Sequence, residues 1–385
     1  MRKRKKKTVL LMEASSRQVL PMARAFYNAG YDITTVCEHK TDLGNVTRFK
    51  NRCYVIESVD SDISKAEQFY QKLVAQNKYD IVMPLSDFSA EIAAKNKDKW
   101  KKFGCYIAVN DFDTFMLAYD KLNTMKVCME NDIPCPYTVL VDNSGEIDFS
   151  SIKYPVVIKP RSACGSIGFH IVNNEKKLKE LLIDNSHGPL LIQEFIPQNG
   201  RQFNAHFVLD ENHEVKTAIC TQKCRWFPID GGASTLCRTI KNEYILEICE
   251  KLLKIIGWVG YCDLDLMEDP RDGSIRIIEI NARISANVKV CFYSGANVVQ
   301  QVIELSSGAK VSDFRMYKID QRLRCIHTDL LWFIKSQNRM KTDPSWFSLR
   351  RTTDQIFSFD DIMPFISFSI TSIFKYKHEM RKRER

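Results

Sequence analysis

Hydrophobic and polar residues alternate along the chain on both sides of a short turn between residues 261 and 283. Alternation with a period of two is typical of a β-strand buried on one face, so two strands are predicted here. The residues between them, 269–273, include aspartate, proline and glycine, which favour a tight turn. The whole stretch is therefore predicted to form a β-hairpin.

The polar positions of this hairpin fall on matching faces. Asp263 and Asp265 share one face of the first strand, and Glu279, Asn281 and Arg283 share one face of the second. Carboxylate and amide oxygens grouped in this way suit a hard cation such as Mg²⁺, which usually leaves positions for water and substrate phosphates. An arginine beside them suits a phosphate or a carboxylate.

A solvent-facing hairpin edge would produce the same alternation without any binding role. Against that alternative, four isoleucines between residues 275 and 280 indicate that the second strand is buried on more than one side. A buried carboxylate requires a cation or a hydrogen-bond donor, so a cation site is the favoured interpretation.

The first 110 residues alternate between short apolar runs and helical segments, which is the pattern of a doubly wound α/β sheet. Strands are predicted at 8–12, 32–36, 53–56, 81–84 and 105–109, and helices at about 18–28, 63–76 and 88–95. The first turn carries no GxGxxG sequence, so no dinucleotide site is predicted there. Ser86 and Asp87 follow a predicted strand, where they could contact a substrate, although capping the next helix is the simpler interpretation.

A lysine followed by a glycine-containing loop marks a candidate phosphate site. Lys159 lies at the end of a predicted strand over 154–160, and the loop 161–168 leads into a further strand over 169–172. Small loop residues with free backbone N–H groups can fold over phosphates, and the lysine adds a positive charge. A plain hairpin turn is the alternative for this loop.

Other elements frame this region. A helix containing Lys121 should stop at residues 131–136, which include two prolines, and Lys121 could either reach a neighbouring cleft or remain a surface lysine. Further elements are predicted as strands at 190–197 and 200–209, a mobile loop at 231–235 and a helix at 243–256. Gln202, Asn204 and His206 share one face of the second of these strands, and His206 alone is typical of a structural histidine.

Composition indicates an ordinary globular protein of two or three domains, with 385 residues, 44% of them hydrophobic and 27% charged. The net charge of +9 is concentrated at residues 2–7 and 375–385, and the rest of the chain is close to neutral. A general nucleic-acid groove is therefore not predicted. Thirteen cysteines without a CxxC pair, and no secretory signal, predict a reducing cytoplasm.

Taken together, these segments resemble the ATP-grasp superfamily, and more narrowly its carbamoyl-phosphate-synthetase-like and carboxylate–amine ligase branches. The motifs that carry the resemblance are Asp120-Lys121 before 133–136, 157–160 with 165–168, 193–196, Asp265, and 279–283. Each motif is weak alone, but all five occur in the family's order and spacing. The implied fold is α/β (α+β): a Rossmann-like pre-ATP-grasp domain over 1–112, an ATP-grasp domain over 113–310 with a lid at about 125–215, and a C-terminal extension over 311–385.

The resemblance also implies roles for individual residues. The nucleotide-binding residues would be Lys121, Lys159, Ser162, Gly165, Ser166, Gly168, Gln193, Glu194, Phe195, Ile196 and Gln202, and the metal ligands Asp265, Glu279 and Asn281. Lys159 and Arg283 would act in catalysis, with Arg283 holding the transferred phosphate or the acceptor carboxylate. The implied cofactors are ATP and Mg²⁺, or Mn²⁺ in its place. Gln202 stands where many members have an acidic residue, and Ala282 replaces the usual proline before the arginine.

The activity implied is that of an ATP-dependent carboxylate–amine ligase, which forms an acyl phosphate that an amine captures. A bicarbonate-activating carboxylase or carbamoyl-phosphate-synthetase-like enzyme is the first alternative, and a nucleotide-binding regulatory protein without turnover is the second. The expected partners are a small carboxylate and an amine, and the expected assembly is a homodimer. Many ligases of this branch act in cell-envelope biosynthesis, so an acceptor from cell-envelope or polysaccharide biosynthesis is one of the candidate substrates. Arg225, Ser234 and Arg238 are candidates for substrate contacts.

The C-terminal end combines an apolar segment, residues 362–374, with the basic residues 375–385. Thirteen residues are too few to cross a bilayer, but such a segment could lie on an anionic membrane surface. Packing against the protein body is the alternative. The expected location is cytoplasmic, either free or at the inner face of the membrane.

Overall fold

A computed structural model describes residues 6–57, 63–139, 147–161, 170–183, 190–229 and 231–372. Ser162, Gly165, Ser166 and Gly168, predicted to form the phosphate loop, lie outside the described residues, as does the basic segment 375–385.

The amino-terminal residues form a five-stranded parallel sheet in the order β3-β2-β1-β4-β5. Its elements are β1 (Thr8–Met12), α1 (Val19–Asn28), β2 (Asp32–Cys37), α2 (Leu43–Val46), β3 (Arg52–Val55), α3 (Ile63–Asn77), β4 (Ile81–Pro84), α4 (Asp87–Lys95), α5 (Lys97–Lys101) and β5 (Tyr106–Ile107). Alternate residues of β1 belong to two different cores, one on each side of the sheet, which explains why its sequence is continuously apolar. The predicted doubly wound sheet is confirmed, with β5 shorter than expected.

Two helices, rather than the single predicted one, follow this sheet: α6 (Phe112–Tyr119) and α7 (Lys121–Glu130). Asp120 between them has an extended backbone, and its carboxylate accepts a hydrogen bond from the backbone N–H of Leu122 at 3.0 Å. Aspartate at this position caps a new helix. Lys121 therefore occupies the first turn of α7, where its direction is fixed.

A four-stranded antiparallel sheet comes next, in the order β6-β9-β7-β8. Its elements are β6 (Thr138–Val139), a 3₁₀ turn (Phe149–Ser151), β7 (Val156–Pro160), β8 (His170–Val172), α8 (Glu175–Ile183) and β9 (Leu190–Glu194). Val156, Ile158 and Ile192 belong to a small core of its own, separate from the larger cores of the protein.

The third sheet has seven strands in the order β14-β13-β10-β11-β12-β15-β16. Its elements, with the helices that cover it, are β10 (Gln202–Leu209), β11 (Val215–Phe227), β12 (Ala233–Ile240), α9 (Glu243–Ile255), β13 (Gly260–Glu268), β14 (Ile275–Asn281), α10 (Lys289–Ser294), α11 (Val298–Ser306), β15 (Arg322–Arg324), α12 (Ile326–Lys335) and β16 (Thr352–Asp354). Neighbouring strands are antiparallel except β15 and β16. One face packs on α9, and the other shares a core with α10, α11 and the first sheet.

The predicted mobile loop at 231–235 is wrong for its second half. Ala233 begins β12, and Ser234 and Thr235 are buried. The Thr235 hydroxyl donates to Asp329 at 2.8 Å, a partner 94 residues further along the chain. The small polar residues here face a buried carboxylate, which the local sequence does not reveal.

The described residues after 320 pack against the rest of the protein. β15 and β16 extend the seven-stranded sheet, and residues 363–372 are helical. In that helix the Ser367 hydroxyl donates to the Thr41 carbonyl oxygen at 2.6 Å, and Phe365 and Phe368 contact the ring of His327. No helix among the described residues is both long and apolar enough to cross a bilayer. The division into domains at 112 and 310 stays a prediction.

Candidate active site

The predicted hairpin is confirmed, and its polar faces meet as expected. In the pairing of β13 with β14, Asp265 lies opposite Glu279 and Asp263 lies opposite Asn281. A β-bulge follows Asp265 and shifts the register there. On the other side of β13, Asn204 of β10 lies opposite Asp265 and donates a short hydrogen bond to its carboxylate. Acidic and amide side chains from three strands are thus grouped on one face of the sheet.

Lysines from three separate elements converge on these carboxylates. Lys121 Nζ lies 3.2 Å from Glu279 Oε2, and Lys223 Nζ of β11 lies 2.9 Å from Asp265 Oδ1. Burial lowers the pKa of Lys159 to about 8, partly offset by the negative charge of Glu279. Sequence reasoning found the first and third of these lysines but missed Lys223.

The two predicted phosphate lysines are held together by contacts of the residues beside them. Arg161, which follows β7, makes a bidentate ion pair with Asp120, with N···O distances of 3.1 and 2.6 Å. The backbone N–H of Lys121 donates to the Arg161 carbonyl oxygen at 3.1 Å. The end of the strand that carries Lys159 is therefore joined directly to the first turn of α7.

Arg283 links the hairpin to the first sheet. Its Nε lies 3.2 Å from Asp87 Oδ2, and its Nη2 donates to Asn281 Oδ1 at 3.0 Å. Burial opposes the charged guanidinium, but the carboxylates of Asp87 and Asp263 raise the pKa of Arg283 above its usual value. Asp87 sits at the carboxyl end of β4, beside β1, where the strand order of the parallel sheet reverses; α/β sheets bind ligands at such points.

The two interpretations of Ser86 and Asp87 prove compatible. Ser86 is the N-cap of α4, and its side-chain oxygen accepts from the backbone N–H of Ser89 at 3.3 Å. Asp87, at the first helical position, is left to pair with Arg283. The cap thus positions the aspartate at the site.

A buried polar row lies behind the carboxylates. His206 Nδ1 lies 2.9 Å from the Tyr261 hydroxyl oxygen, and burial lowers the pKa of His206 to about 4, so the ring is neutral. Burial, followed by the nearby Asp265 charge, raises the pKa of Asp263 to about 8. His206 is therefore a structural histidine, as its sequence context indicated.

The donor set fits a divalent cation. Asp265 and Glu279 provide carboxylates, and Asn281 provides an amide oxygen, which are the ligands that Mg²⁺ prefers. Within the described part of the chain, the buried Asn204 Oδ1 has no hydrogen-bond donor. An acceptor left without a donor beside two carboxylates is what a cation or its bound water would satisfy.

The side chains of the predicted adenine segment serve as anchors. Gln193 is buried and donates to the Thr138 hydroxyl at 2.9 Å. The Glu194 carboxylate accepts from Arg276 at 2.7 Å and pairs with Arg271. Phe195 and Ile196 continue from β9, Ile196 is buried, and the Phe195 N–H donates to Pro155 O at 3.3 Å. Gln202 is buried and donates to Gln198 Oε1 at 3.1 Å. Nucleotide binding by these five residues stays a prediction.

Two of the three substrate-contact candidates have other partners. Arg225 is buried and pairs with Asp329, with N···O distances of 2.8 and 3.0 Å, so it is a structural residue. Arg238 lies 3.0 Å from Asp343 Oδ2, near the surface. Ser234 is buried in β12.

Arg283 is among the residues that line a cavity. This cavity of about 600 Å³ lies between the edge strand β5 and the start of β13, and its lining includes Pro84, Tyr106, Glu211 and Arg283. This volume would hold a small organic acid completely and a larger acid in part.

Comparison with known proteins matches a family to the region of the chain that contains Lys121, Lys159, Asp265 and Glu279. The ATP-grasp domain family matches residues 118–287. D-aspartate ligase of Enterococcus faecium (strain Aus0004) is 24% identical over 330 residues, covering 76% of this chain and 75% of that protein. The arginine-specific carbamoyl phosphate synthase large chain of Geobacillus stearothermophilus is 22% identical over 284 residues, covering 70% of this chain but only 26% of its own.

Solved structures share the fold. The biotin carboxylase domain dimer of Hydrogenobacter thermophilus 2-oxoglutarate carboxylase, solved in complex with MgADP, ADP and bicarbonate, has a TM-score of 0.67 and 18% identity. The match covers 82% of this chain and 73% of that one. At this level of identity the likeness establishes the architecture alone.

Proposed function

We propose, from the premise that residues 118–287 of this chain form an ATP-grasp domain, that the protein is an ATP- and Mg²⁺-dependent ligase joining a carboxylate to an amine. The single observation that carries the proposal is that Glu279, paired with Asp265 across the hairpin, lies 3.2 Å from Lys121 and also interacts electrostatically with Lys159 and Arg283. Such a site offers fixed positive charge for phosphates together with oxygen ligands for a cation. Both are required for phosphoryl transfer.

The proposed reaction has two steps. A carboxylate oxygen of the acid attacks the γ-phosphorus of ATP, the bond to the β-γ bridging oxygen breaks, and an acyl phosphate and ADP form. The amine then attacks the acyl carbon, inorganic phosphate leaves, and the amine loses a proton as the amide forms. Bound Mg²⁺ would neutralise phosphate charge during the first step.

The residues of the chain divide this work. Lys121 and Lys159 hold the phosphates, and Asp265, Glu279 and Asn281 would hold the cation. Arg283 orients the carboxylate of the acid, because its guanidinium is fixed by Asp87 and Asn281 beside the predicted cation ligands. A carboxylate paired with this guanidinium would lie next to the phosphate lysines, which is the placement that attack on phosphorus requires.

Release of ADP and phosphate tests the proposal. Purified protein with Mg·ATP would be supplied with a panel of amino acids including D-aspartate, sugar acids, short peptides and bicarbonate, each with and without an amine. We expect phosphate release that requires one acid and one amine together, and loss of that release in Glu279→Gln. Release with bicarbonate alone would favour the carboxylase alternative, and ATP binding without release under any condition would favour a regulatory protein.

The same proposal extends to assembly and location. We expect a homodimer in the cytoplasm, which sedimentation velocity and fractionation would test.

The helix at 363–372 exposes Met363, Ile366 and Ile370, and the basic residues 375–385 follow it in sequence. We propose that this apolar strip lies on an anionic membrane surface, which would suit an envelope-linked or polysaccharide acceptor. Co-sedimentation with phosphatidylserine vesicles should be lost on removal of residues 373–385, and equal binding by both forms would refute it.

A further inference from the structure

In this site the two carboxylates predicted to bind the cation, Asp265 and Glu279, are already paired with lysines. Lys121 lies 3.2 Å from Glu279, and Lys223 lies 2.9 Å from Asp265, which also accepts the hydrogen bond from Asn204. The Lys223 side chain is only 15% exposed, so this ion pair is shielded from water. Each of the two carboxylates predicted to bind the cation therefore has an ammonium group as its present partner.

Lys223 stands on the same face of the sheet as the predicted metal ligands. On β11 it lies opposite Gln202 of β10, and Asn204, two residues along β10, lies opposite Asp265 of β13. Residues opposite one another across antiparallel strands share a face. This places the lysine beside the predicted nucleotide-binding Gln202 as well as within reach of the cation site.

We propose that Lys223 is a third phosphate-binding lysine, and that Lys121 and Lys223 occupy the metal carboxylates until the nucleotide and its cation arrive together. This inference rests on the proposed ATP-binding function. A free divalent cation would have to displace two ammonium groups and leave both without partners in a partly buried site. The triphosphate supplies the new partners, so the lysines move to phosphate oxygens and free Asp265 and Glu279 for the cation.

The proposed role of Lys223 predicts changes in Mn²⁺ and nucleotide affinity that can be measured without turnover. The chain without nucleotide should bind free Mn²⁺ weakly, and removing the charge of Lys223 should strengthen that binding. The same change should weaken nucleotide binding, because a phosphate partner is lost. A lysine with only a structural role would not move these two affinities in opposite directions.

Lys216 provides a matched control on the same strand. It pairs with Asp210 at 3.0 Å, and seven residues of extended chain place it about 23 Å from Lys223. Lys216→Met removes the same charge and a comparable ion pair without touching the site.

The experiment measures free Mn²⁺ by electron paramagnetic resonance in titrations of the full chain without nucleotide, and binding of a fluorescent ATP analogue in parallel. We expect Lys223→Met to tighten Mn²⁺ binding by roughly tenfold or more and to weaken ATP binding, while Lys216→Met leaves both near the wild-type values. Lys223→Gln serves as a second variant if the methionine variant does not fold.

Unchanged or weaker Mn²⁺ binding in both Lys223 variants would overturn the proposal, as would tight binding of free Mn²⁺ by the wild type. The Mn²⁺ titration distinguishes this outcome from failure of the proposed function. A protein that binds no ATP would refute the ligase and the phosphate role of Lys223, yet the metal arm would still report whether the lysine occupies the carboxylate.

Discussion

A buried cluster of one aspartate and two arginines should be essential for stability, and Asp329→Asn tests it. Asp329 is fully buried, and its carboxylate accepts from Arg225 at 2.8 and 3.0 Å, from Arg324 at 2.7 Å and from Thr235 at 2.8 Å. The substitution preserves size but removes the only negative charge in this set. Two guanidiniums, each less than a tenth exposed, would then lose the carboxylate that accepts their hydrogen bonds.

Breaking a buried pair by removing one partner costs about 3–5 kcal/mol, because the remaining charge stays buried. A typical unfolding free energy is about 5–15 kcal/mol, so the loss would be a large part of the total. Urea unfolding followed by tryptophan fluorescence is a suitable measurement, since Arg225 lies 5.2 Å from the centre of the Trp332 ring and Arg324 lies 4.3 Å from that of Trp346. The midpoint for Asp329→Asn should fall sharply.

Asp313→Asn is the matched control. Asp313 pairs with Arg315 at 2.7 Å, but both side chains are about half exposed, and such a pair contributes less than about 1 kcal/mol. If the two variants unfold at similar urea concentrations, the reasoning about burial is refuted.

Three further outcomes are expected from the site and its surroundings. Lys121→Met should lower ADP formation by roughly a hundredfold, whereas Lys126→Met, on an exposed face of the same helix, should not change it. Arg283→Lys keeps the charge but not the two-pronged geometry, so kcat/KM for the acid should fall by roughly tenfold or more while the KM for ATP stays near the wild-type value. Burial lowers the pKa of Lys289 to about 8 in the folded protein, below its value in the unfolded chain. Between these two pKa values unfolding takes up a proton, so the folded state gains stability as the pH rises. The stability of the wild type relative to Lys289→Met should therefore rise from pH 8 to pH 10. Urea midpoints at both pH values check this, and a fall in the difference would contradict it.

Much of the site could be predicted from local patterns. Asp265 and Glu279 were found because a strand has a period of two, and because the turn between the strands fixes which faces meet. Lys121 and Lys159 were found through the resemblance, since neither has a local signal that separates it from a surface lysine. The two-helix arrangement at Asp120 was missed, although aspartate is a common helix cap.

Lys223 and Arg225 show why the remainder could not be predicted. Lys223 reaches Asp265 only through the pairing of β11 with β10 and of β10 with β13, which sequence periodicity does not specify. Arg225 lies two residues further on and is a candidate for substrate contact from the sequence, but its partner Asp329 is 104 residues away. In both cases the decisive fact is which strands become neighbours, and that depends on the fold as a whole.

The two attachments of the four-stranded sheet have a mechanical consequence. One attachment is at the end of β7, where Arg161 meets Asp120, and the other is at the end of β9, where Glu194 meets Arg276 in the β13–β14 hairpin. A sheet attached at two points can rotate most easily about the line through those points. Lys159 lies close to one end of that axis, so such a rotation would hardly change its distance from Lys121.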